Sequence, residues 1–390
     1  QAVDSLEQRA AATHVADGAF GPFLELARDI GEAVHEAGGL ATTGARDGVA
    51  VAELSATPWR LLADRIDEVA LDYARLKVAV PLDTSGDAWV DCARSVLRFA
   101  TAVASAGEET VHLVGRKPGE EFVGLLCLDP SGWLGPRIAE LGGFLGLSAT
   151  LSPPGFYRDL LGLDPHRLEV LRVASGFARE HCRVLVAPRV STVYRDRAAH
   201  AEPTAALLQS CIEAVPGNTA VYFPSFEMLR DITARWSIED REVLAQEPSM
   251  SEQRRLDWLR RIGAGGPPLV LAAVLGGIFA EGIDLPPGAL DAVLVAGPAL
   301  PPVGMERDLL RNYYEDRYGE GFRYASLVPG ITRVVQAAGR LIRRPEDRGV
   351  IVLVGRRFRW RETSSLFPTE WEVEVPDDPA AAISAFWRST

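Results

Sequence analysis

The segment Gln336–Gly349 has the clearest chemical potential in this chain. It contains two arginines, Arg340 and Arg343, spaced three residues apart behind Gly339. This spacing predicts that both side chains project from one face, one helical turn apart. Phosphoryl-transfer sites use fixed arginine pairs to neutralise charge that develops on a transferred phosphate. The segment therefore predicts one half of an ATP site.

The other half of such a site is not recognisable in the sequence. A phosphate-cradling loop needs a glycine-rich turn that ends in Gly-Lys-Ser or Gly-Lys-Thr. The chain has only two lysines, Lys77 and Lys117, and neither follows a glycine or precedes a hydroxyl residue. The Asp67-Glu68 pair lies in a helical pattern, not on a strand. We therefore expect another segment to supply the phosphate loop.

Composition points to an ordinary intracellular protein. The apolar fraction is 47% and the charged fraction 24%, as in globular domains. The longest uncharged apolar run, 265–280, is too short to span a bilayer, and no basic-then-apolar leader opens the chain. These features predict a cytoplasmic protein without a membrane partner. The chain starts at Gln1 instead of Met, which suggests a fragment.

The cysteines and histidines do not predict a metal site. The four cysteines are far apart, with no Cys-x-x-Cys pair, and six histidines are scattered. A zinc or iron–sulfur site built from this chain alone is therefore not expected. Reduced thiols are the expected state. The cysteines are Cys92, Cys127, Cys182 and Cys211.

Charge is distributed unevenly along the chain. The formal net charge is −12, which does not favour general nucleic-acid binding. Residues 1–112 hold 18 acidic and 9 basic side chains, whereas residues 336–361 hold eight arginines against two acidic residues. A local basic groove is compatible with an acidic chain, although a charge run more often forms a solvated face.

Hydrophobic periodicity divides the chain into a helical first part and an α/β remainder. Residues 1–112 predict helices, and their aromatic stripe predicts core packing in preference to a ligand site. From about residue 165, strands and helices alternate, which predicts a mainly parallel sheet covered on both faces. The predicted strands are 121–128, 142–147, 183–187, 218–223, 269–274, 290–296 and 350–354. The later predicted helices are 131–141, 203–214, 226–236, 251–262, 305–318 and 331–340.

Four segments, in this order, resemble the later motifs of superfamily 2 DNA helicases. They are most similar to the branch that contains XPD and the bacterial DinG helicases, and the resemblance covers about residues 120–360. The run Ile278-Phe-Ala-Glu-Gly-Ile-Asp-Leu-Pro286 is especially similar to DinG-type members. The four segments are Leu147–Pro153, Thr219–Leu229, Leu275–Leu285 and Gln336–Gly349.

The resemblance implies an α/β fold with a RecA-like doubly wound parallel sheet. It implies a mostly helical arch-like domain at 1–118, the last βαβ piece of lobe one at 119–156, and RecA-like lobe two at 157–390. In this family two lobes clamp ATP and Mg²⁺, and lobe one carries the phosphate loop and an iron–sulfur cluster. The cluster is expected in the full-length protein but not in this chain.

The resemblance also implies roles for single residues. Arg340 and Arg343 would approach the ATP phosphates, and Gln336 would position the nucleotide or the attacking water. Ser148 and Thr150 would couple hydrolysis to movement between the lobes. The remaining nucleotide-site residues would be Glu281, Gly282, Asp284 and Gly339. The other residues along single-stranded DNA would be Ser191, Thr192, Ser225 and Phe226.

The implied function is an ATP-dependent 5′-to-3′ DNA helicase, monomeric, with this chain inactive by itself. The alternative is a module that grips single-stranded nucleic acid or a partner without hydrolysing ATP. An unrelated nucleotide-sugar enzyme would explain the sheet but not the four ordered motifs.

Single residues also have structural alternatives. The two arginines could pair with Glu346 and Asp347 on a surface helix. Asp284 could form a turn ahead of two prolines. Ser148 and Thr150 could cap a strand end.

Overall fold

The computed structural model describes residues 1–12, 18–41, 46, 48–79, 87–117, 120–282 and 285–389. The chain divides into two compact units. The first contains residues 1–140 with the short pieces 160–162 and 303–313, and the second contains 141–159, 163–302 and 314–390.

Helices account for most of the first unit and surround the sheet of the second. Several short 3₁₀ and π segments occur between them and are named where they matter. The helices are α1 (Ala2–Ala12), α2 (Gly21–Gly39), α3 (Ala56–Ala79), α4 (Ala88–Ala104), α5 (Ser131–Ala139), α6 (Pro154–Leu161), α7 (Arg197–Glu213), α8 (Phe226–Thr233), α9 (Glu252–Gly263), α10 (Met305–Tyr318), α11 (Val328–Ala338), α12 (Arg361–Ser364) and α13 (Pro379–Arg388).

The strands form two separate sheets. The first unit has an antiparallel sheet of order β1-β2-β3, and the second has a sheet of order β10-β4-β9-β8-β5-β7-β6 in which every pairing is parallel. The strands are β1 (Val49–Ala52), β2 (Thr110–Lys117), β3 (Glu120–Cys127), β4 (Cys182–Ala187), β5 (Thr219–Phe223), β6 (Glu242–Ala245), β7 (Leu269–Val274), β8 (Ala292–Ala296), β9 (Gly349–Val354) and β10 (Val373–Glu374).

An aromatic cluster forms the core of the first unit. The ring of Phe23 meets those of Tyr73 and Trp89 edge-on, with centroids 5.0 and 5.8 Å away, a favoured geometry for buried rings. The hydroxyl of Tyr73 donates to Asp87, whose carboxylate also caps α4 by accepting from the N–H of Trp89. All three rings are almost fully buried. The predicted core packing of the aromatic stripe is confirmed.

The large parallel sheet has a separate apolar core on each face, because successive side chains of a strand point to opposite sides. Tyr222 and Val293 face a core that includes α9 and α11. Val221 and Leu294 face a core built with α7, α8 and α13. The central strands β5, β7, β8 and β9 are buried along their full lengths. The predicted doubly wound parallel sheet is confirmed.

Two predicted elements of the lobe-one piece differ from the structure. β3, predicted to start a βαβ unit, instead pairs antiparallel with β2. Residues 142–147, predicted as a strand, have no strand conformation. A strand needs a hydrogen-bonded neighbour, and none of the described residues pairs with this segment.

The segment around the arginine pair also differs from the prediction. α11 ends at Ala338, whereas the predicted helix continued to Arg340. Strand β6 was not predicted, and β4, β5, β7, β8 and β9 lie within about two residues of their predicted positions. Within the described residues, no helix has both the length and the apolar character needed to cross a membrane.

Candidate nucleotide and nucleic-acid sites

The arginine pair lies in a tight loop between α11 and β9. The N–H of Gly339 donates to the carbonyl of Val335 at 2.8 Å, and the N–H of Arg340 bonds back to Ala337 at 3.3 Å. These bonds close the end of the helix. The two arginines are therefore not one helical turn apart, as predicted, but project from successive parts of a loop.

The buried side chain of Leu341 anchors this loop at the start of β9. A β-carbon at Gly349 would lie 2.6 Å from its Cδ1 atom, so glycine leaves room for it. Because Gly349 is the first residue of β9, the arginine loop lies at the amino edge of the parallel sheet.

Asp347 fixes the second half of the loop. Its Oδ2 atom accepts hydrogen bonds from the main-chain N–H groups of Arg343 and Arg344, both at 2.8 Å. Asp347 is only 8% exposed, so these bonds are shielded from water and hold the main chain firmly. This carboxylate oxygen is thus engaged by the backbone of the loop.

Arg340 is bonded to the segment that follows β7. Its Nε–H donates to the carbonyl oxygen of Ala280 at 2.6 Å. Ala280 belongs to a π-helical turn, Ile278–Gly282, and π turns are frequent at functional sites. The predicted nucleotide-site residues Glu281 and Gly282 form the end of this turn, and Asp284 lies outside the described residues.

Tyr222, on strand β5, also holds the π turn. Its hydroxyl donates to the carbonyl oxygen of Phe279 at 3.1 Å, and its side chain is fully buried on β5. Burial raises the pKa of Tyr222 to about 12, and the positive charge of Arg340 opposes the shift. Sequence analysis missed this residue. A lone tyrosine in an otherwise apolar strand was the available signal, because a buried hydroxyl needs a partner.

Gln336 is exposed on the last turns of α11, one turn before Arg340. Thr332, one turn earlier, interacts with Tyr157 of α6. Burial raises the pKa of Tyr157 and its hydrogen bond with Thr332 lowers it. The Tyr157 hydroxyl also donates to the carbonyl of Thr150 at 2.7 Å. Tyr157 thereby connects the Ser-Ala-Thr turn to the helix that precedes the arginines.

Ser148 and Thr150 form a self-bonded turn. The N–H of Thr150 donates to Ser148 Oγ at 3.1 Å, and the two hydroxyl oxygens are 3.2 Å apart. Ser148 is exposed and Thr150 half-buried. Since residues 142–147 are not a strand, these hydroxyls do not cap a strand end here.

Ser225 and Phe226 begin α8 directly after β5, at the carboxyl edge of the sheet. Ser225 is the N-cap residue, and its Oγ accepts from the N–H of Met228 at 3.3 Å. Such a cap stabilises the first turn, and a hydroxyl that accepts one hydrogen bond can still donate its own proton. Phe226 is half-buried.

Ser191 and Thr192 follow β4 at the same edge but are only 2% and 5% exposed. The hydroxyl of Ser191 donates to Asp196 Oδ2 at 2.8 Å. Thr192 packs against Gly297, where a β-carbon would come within 2.4 Å of its Oγ1 atom. These two side chains therefore fix a loop. The arginine loop thus precedes β9 at the amino edge of the sheet, whereas the four predicted nucleic-acid residues Ser191, Thr192, Ser225 and Phe226 follow β4 and β5 at the carboxyl edge.

The cysteines do not fit an iron–sulfur cluster. All four are free thiols, and burial raises the pKa values of Cys182 and Cys211 to about 12. Cluster ligands are thiolates, which these environments disfavour. Within the described residues, no group of His, Cys, Asp and Glu side chains is arranged to hold a metal ion.

Comparison with protein families gives a match to the helicase C-terminal domain over residues 208–374. This segment contains β5 to β9, the π turn and the arginine loop. The match therefore covers most of the large parallel sheet.

Similar curated proteins are named as helicases. The ATP-dependent DNA helicase YoaA of Escherichia coli is 25% identical over 325 residues, covering 81% of this chain and 46% of YoaA. The probable ATP-dependent helicase MJ0942 of Methanocaldococcus jannaschii is 27% identical over 228 residues, covering 54% of this chain and 34% of that protein. The chain spans less than half the length of these relatives.

Solved structures of XPD share the fold. Xpd4 of S. tokodaii superposes with a TM-score of 0.59 at 16% identity, covering 96% of this chain and 69% of that one. An XPD helicase superposes with a TM-score of 0.57 at 17% identity, covering 96% and 64%.

Proposed function

We propose that this chain carries the C-terminal domain of an XPD/DinG-type superfamily 2 helicase and forms the second lobe of an ATP-dependent 5′-to-3′ DNA helicase; the family match, the helicase relatives and the shared XPD fold support this. In this role Arg340 and Arg343 face the phosphates of ATP bound by a first lobe. The opposite edge of the same sheet faces single-stranded DNA. The protein works as a monomer.

The observation that carries this proposal is the construction of the arginine loop. The Nε–H of Arg340 donates to the carbonyl oxygen of Ala280, and Asp347 accepts hydrogen bonds from the main-chain N–H groups of Arg343 and Arg344. Guanidinium groups on a pre-ordered loop suit phosphate oxygens, because little reorganisation is needed when charge develops. The donor set therefore fits the phosphates of ATP, and Mg²⁺ bound with the nucleotide would supply further positive charge to neutralise them.

The described residues also support a missing first lobe. Large apolar side chains are exposed along residues 141–177, and four of them are more than three-quarters exposed. A protein surface of this kind usually contacts another surface. We propose that strands of lobe one pair with and cover this stretch, and that the phosphate loop and an iron–sulfur cluster lie in lobe one. The four side chains are Leu145 (78%), Leu147 (82%), Leu171 (87%) and Val173 (83%).

The arginine loop suggests how ATP would move the lobes. Charge-assisted bonds from Arg340 and Arg343 to phosphate oxygens draw lobe two towards the nucleotide. Phosphate release removes this attraction, and the cleft reopens. Arg340 is bonded to the π turn after β7, and Tyr157 connects α11 to the Thr150 turn. Both contacts would transmit the motion to neighbouring segments.

Substitution of Arg343 tests this function in the protein that includes the phosphate-loop lobe. Arg343→Ala is expected to lower DNA-stimulated ATP hydrolysis by about 10³-fold or more while leaving DNA affinity nearly unchanged. Arg344→Ala is the matched control, since Arg344 is an exposed neighbour on the same loop. Equal activity of both variants, or loss of stability alone, would contradict the proposal.

The absence of a Gly-Lys-Ser/Thr sequence from this chain favours one alternative, a non-hydrolysing module that binds single-stranded nucleic acid or a partner. We expect no ATP hydrolysis by this polypeptide alone, with or without DNA. The alternative requires that the protein containing the phosphate-loop lobe also fails to hydrolyse ATP. A DNA-stimulated ATPase in the longer protein would exclude it.

A further inference from the structure

Two loops meet at the carboxyl edge of the sheet and use no residue of the arginine loop. One follows β4 and the other follows β9, which are neighbouring parallel strands. The N–H of Gly355 donates to the carbonyl of Ala187 at 2.9 Å, and the N–H of Arg356 donates to Val190 at 3.0 Å. The two loops are therefore joined through their main chains.

Close packing also fixes this junction. Gly297 and Gly355, with φ of +90° and +130°, adopt backbone conformations that side chains rarely take. A β-carbon would lie 2.4 Å from Thr192 Oγ1 at Gly297 and 3.1 Å from it at Gly355. Thr192 thus fills the space that both glycines leave open, and the loop after β4 cannot move without displacing it.

Asp196 connects the two loops electrostatically. Its Oδ2 atom accepts from Ser191 Oγ at 2.8 Å and from a terminal nitrogen of Arg356 at 2.6 Å. The hydrogen bond from Ser191 is the main cause that lowers the pKa of Asp196, with help from Arg356, Arg195 and His200. The carboxylate therefore stays ionised at neutral pH and orients the guanidinium group of Arg356.

Four arginines influence one another at this junction, and two of them, Arg356 and Arg195, pair with the Asp196 carboxylate at 2.6 and 3.6 Å. The pKa of Arg357 is lowered mainly by burial and then by the charges of Arg356, Arg197 and Arg195, while Asp196 raises it. The Nε atom of Arg357 is buried and has no hydrogen-bond partner among the described residues. Arginines stay protonated in proteins, so a net positive charge remains here.

Two exposed aromatic rings lie beside these arginines. Tyr194 is 75% exposed and Trp360 is 47% exposed. The guanidinium carbon of Arg197 is 5.5 Å from the ring centre of Tyr194, and that of Arg357 is 5.6 Å from the ring centre of Trp360. Tyrosine and tryptophan rings are rigid and amphipathic, and they are enriched at binding interfaces.

We propose that this arginine–aromatic patch binds single-stranded nucleic acid, with guanidinium groups on phosphates and the two rings stacked on bases. Basic grooves with interleaved aromatic side chains are suited to single strands, because every unpaired base offers a ring face. A duplex hides those faces, and an acidic peptide has none. The patch is formed by Tyr194, Arg195, Arg197, Arg356, Arg357 and Trp360.

The inference rests on the proposed function, because the patch lies at the same sheet edge as Ser225. It also gives neighbouring residues of the loop after β4 different roles. Ser191 and Thr192 are buried, so they position the loop, whereas Tyr194 and Arg195 project from it. We therefore expect Tyr194 and Arg195 to contact the single-stranded nucleic acid, and Ser191 and Thr192 to hold the loop in place.

The test uses the present polypeptide and fluorescence anisotropy with fluorescein-labelled oligo-dT and oligo-rU of about 20 nucleotides, longer than a typical single-strand site. Trp360→Ala and Tyr194→Ala are each expected to weaken binding about 5- to 100-fold. The double variant Arg195→Gln/Arg197→Gln is expected to reduce the slope of log K against log salt concentration by about 1.4. Arg260→Gln, an exposed arginine on α9, is the control and should change neither quantity.

Quenching of tryptophan fluorescence by oligo-dT gives a second measurement that does not depend on weakened binding. Stacking on Trp360 predicts that Trp360→Phe loses part of the quenching seen in the unaltered chain. Equal quenching in both proteins, or patch variants that bind like Arg260→Gln, would overturn the inference. Tighter binding of poly-glutamate than of either oligonucleotide would overturn it in favour of a protein partner.

The same assays separate this inference from the proposed function. If Ser225→Ala and Phe226→Ala weaken binding but the patch variants do not, the helicase proposal stands and the patch does not. If the patch variants weaken binding while the longer protein never hydrolyses ATP, the patch stands and the helicase proposal fails. Equal losses with oligo-dT and oligo-rU would identify the shared phosphate and base chemistry, and a loss confined to oligo-dT would identify DNA.

Discussion

The Nε–H of Arg340 donates a hydrogen bond to the main-chain carbonyl oxygen of Ala280 at 2.6 Å, across 60 residues of sequence. This bond joins the loop after α11 to the π turn after β7. It uses the inner nitrogen of the guanidinium group, which is one of five N–H donors in a fixed planar arrangement. The arginine is thereby oriented by the protein before any ligand arrives.

This bond predicts that lysine cannot replace Arg340. Arg340→Lys keeps the charge but removes the planar group that contacts Ala280 and a second acceptor at once. We expect a loss of ATP hydrolysis of about tenfold or more in the protein that contains the phosphate-loop lobe. Arg344→Lys serves as the control. Full activity of Arg340→Lys would mean that charge alone suffices.

Tyr222→Phe is expected to destabilise the second unit without changing its shape. The substitution removes the hydroxyl that donates to Phe279 at 3.1 Å and leaves a buried carbonyl oxygen without that donor. The expected decrease in the free energy of unfolding is about 1–2 kcal/mol, measured by urea denaturation. Tyr194→Phe, at a side chain that is 75% exposed, should change it by less than about 0.5 kcal/mol. A similar small change for Tyr222→Phe would contradict the assigned bond.

Gly297→Ala is expected to disturb both stability and binding. Gly297 has a φ of +90°, and the new methyl group would lie 2.4 Å from Thr192 Oγ1. We expect a loss of more than about 1 kcal/mol in thermal or urea unfolding, together with weaker binding of oligo-dT. Gly266→Ala is a suitable control, because a β-carbon there meets nothing within 4 Å. Equal stability of the two variants would show that Thr192 is not closely packed.

The pair formed by Arg183 and Glu374 predicts a pH dependence. Two hydrogen bonds, at 2.9 and 2.6 Å, join the guanidinium group to the carboxylate and connect β4 with β10. The hydrogen bond from Arg183 is the main cause that lowers the pKa of Glu374 below its ordinary value of 4.5. The stabilisation is therefore present above about pH 4.5 and is lost as the pH falls through the lower folded-state pKa.

Unfolding measured between about pH 6 and pH 3 should reveal this contribution. Glu374→Gln is expected to lose at most about 1 kcal/mol at neutral pH, because the carboxylate is half exposed, and to lose less further stability on acidification. Glu372→Gln, which removes a more exposed partner of Arg179, is the control. Parallel pH curves for the unaltered chain and Glu374→Gln would contradict the prediction.

The sequence by itself determined the parallel sheet and the position of most of its strands. Runs such as Leu269–Val274 and Gly349–Val354 are apolar throughout, as strands buried on both faces of a parallel sheet are, and they are too short for typical helices. It also determined the chemical type of the candidate site, because Arg340 and Arg343 are defined by residue type and order. The helical first part and its aromatic core followed from periodicity in the same way.

Only the tertiary structure decided how these residues are held. Helix α11 ends at Ala338, and the chain then turns so that the side chain of Leu341 packs against Gly349. This packing favours a loop instead of a longer helix. The burial of Ser191 depends on its hydrogen bond with Asp196 and on the neighbouring strand β9. The sequence around Ser191 predicts neither of these contacts. Residues 142–147 have strand-like composition but no strand partner among the described residues. Hydrogen-bond partners and burial arise from segments distant in sequence, so residue type predicts the chemistry of a site, whereas packing decides which residues can reach a ligand.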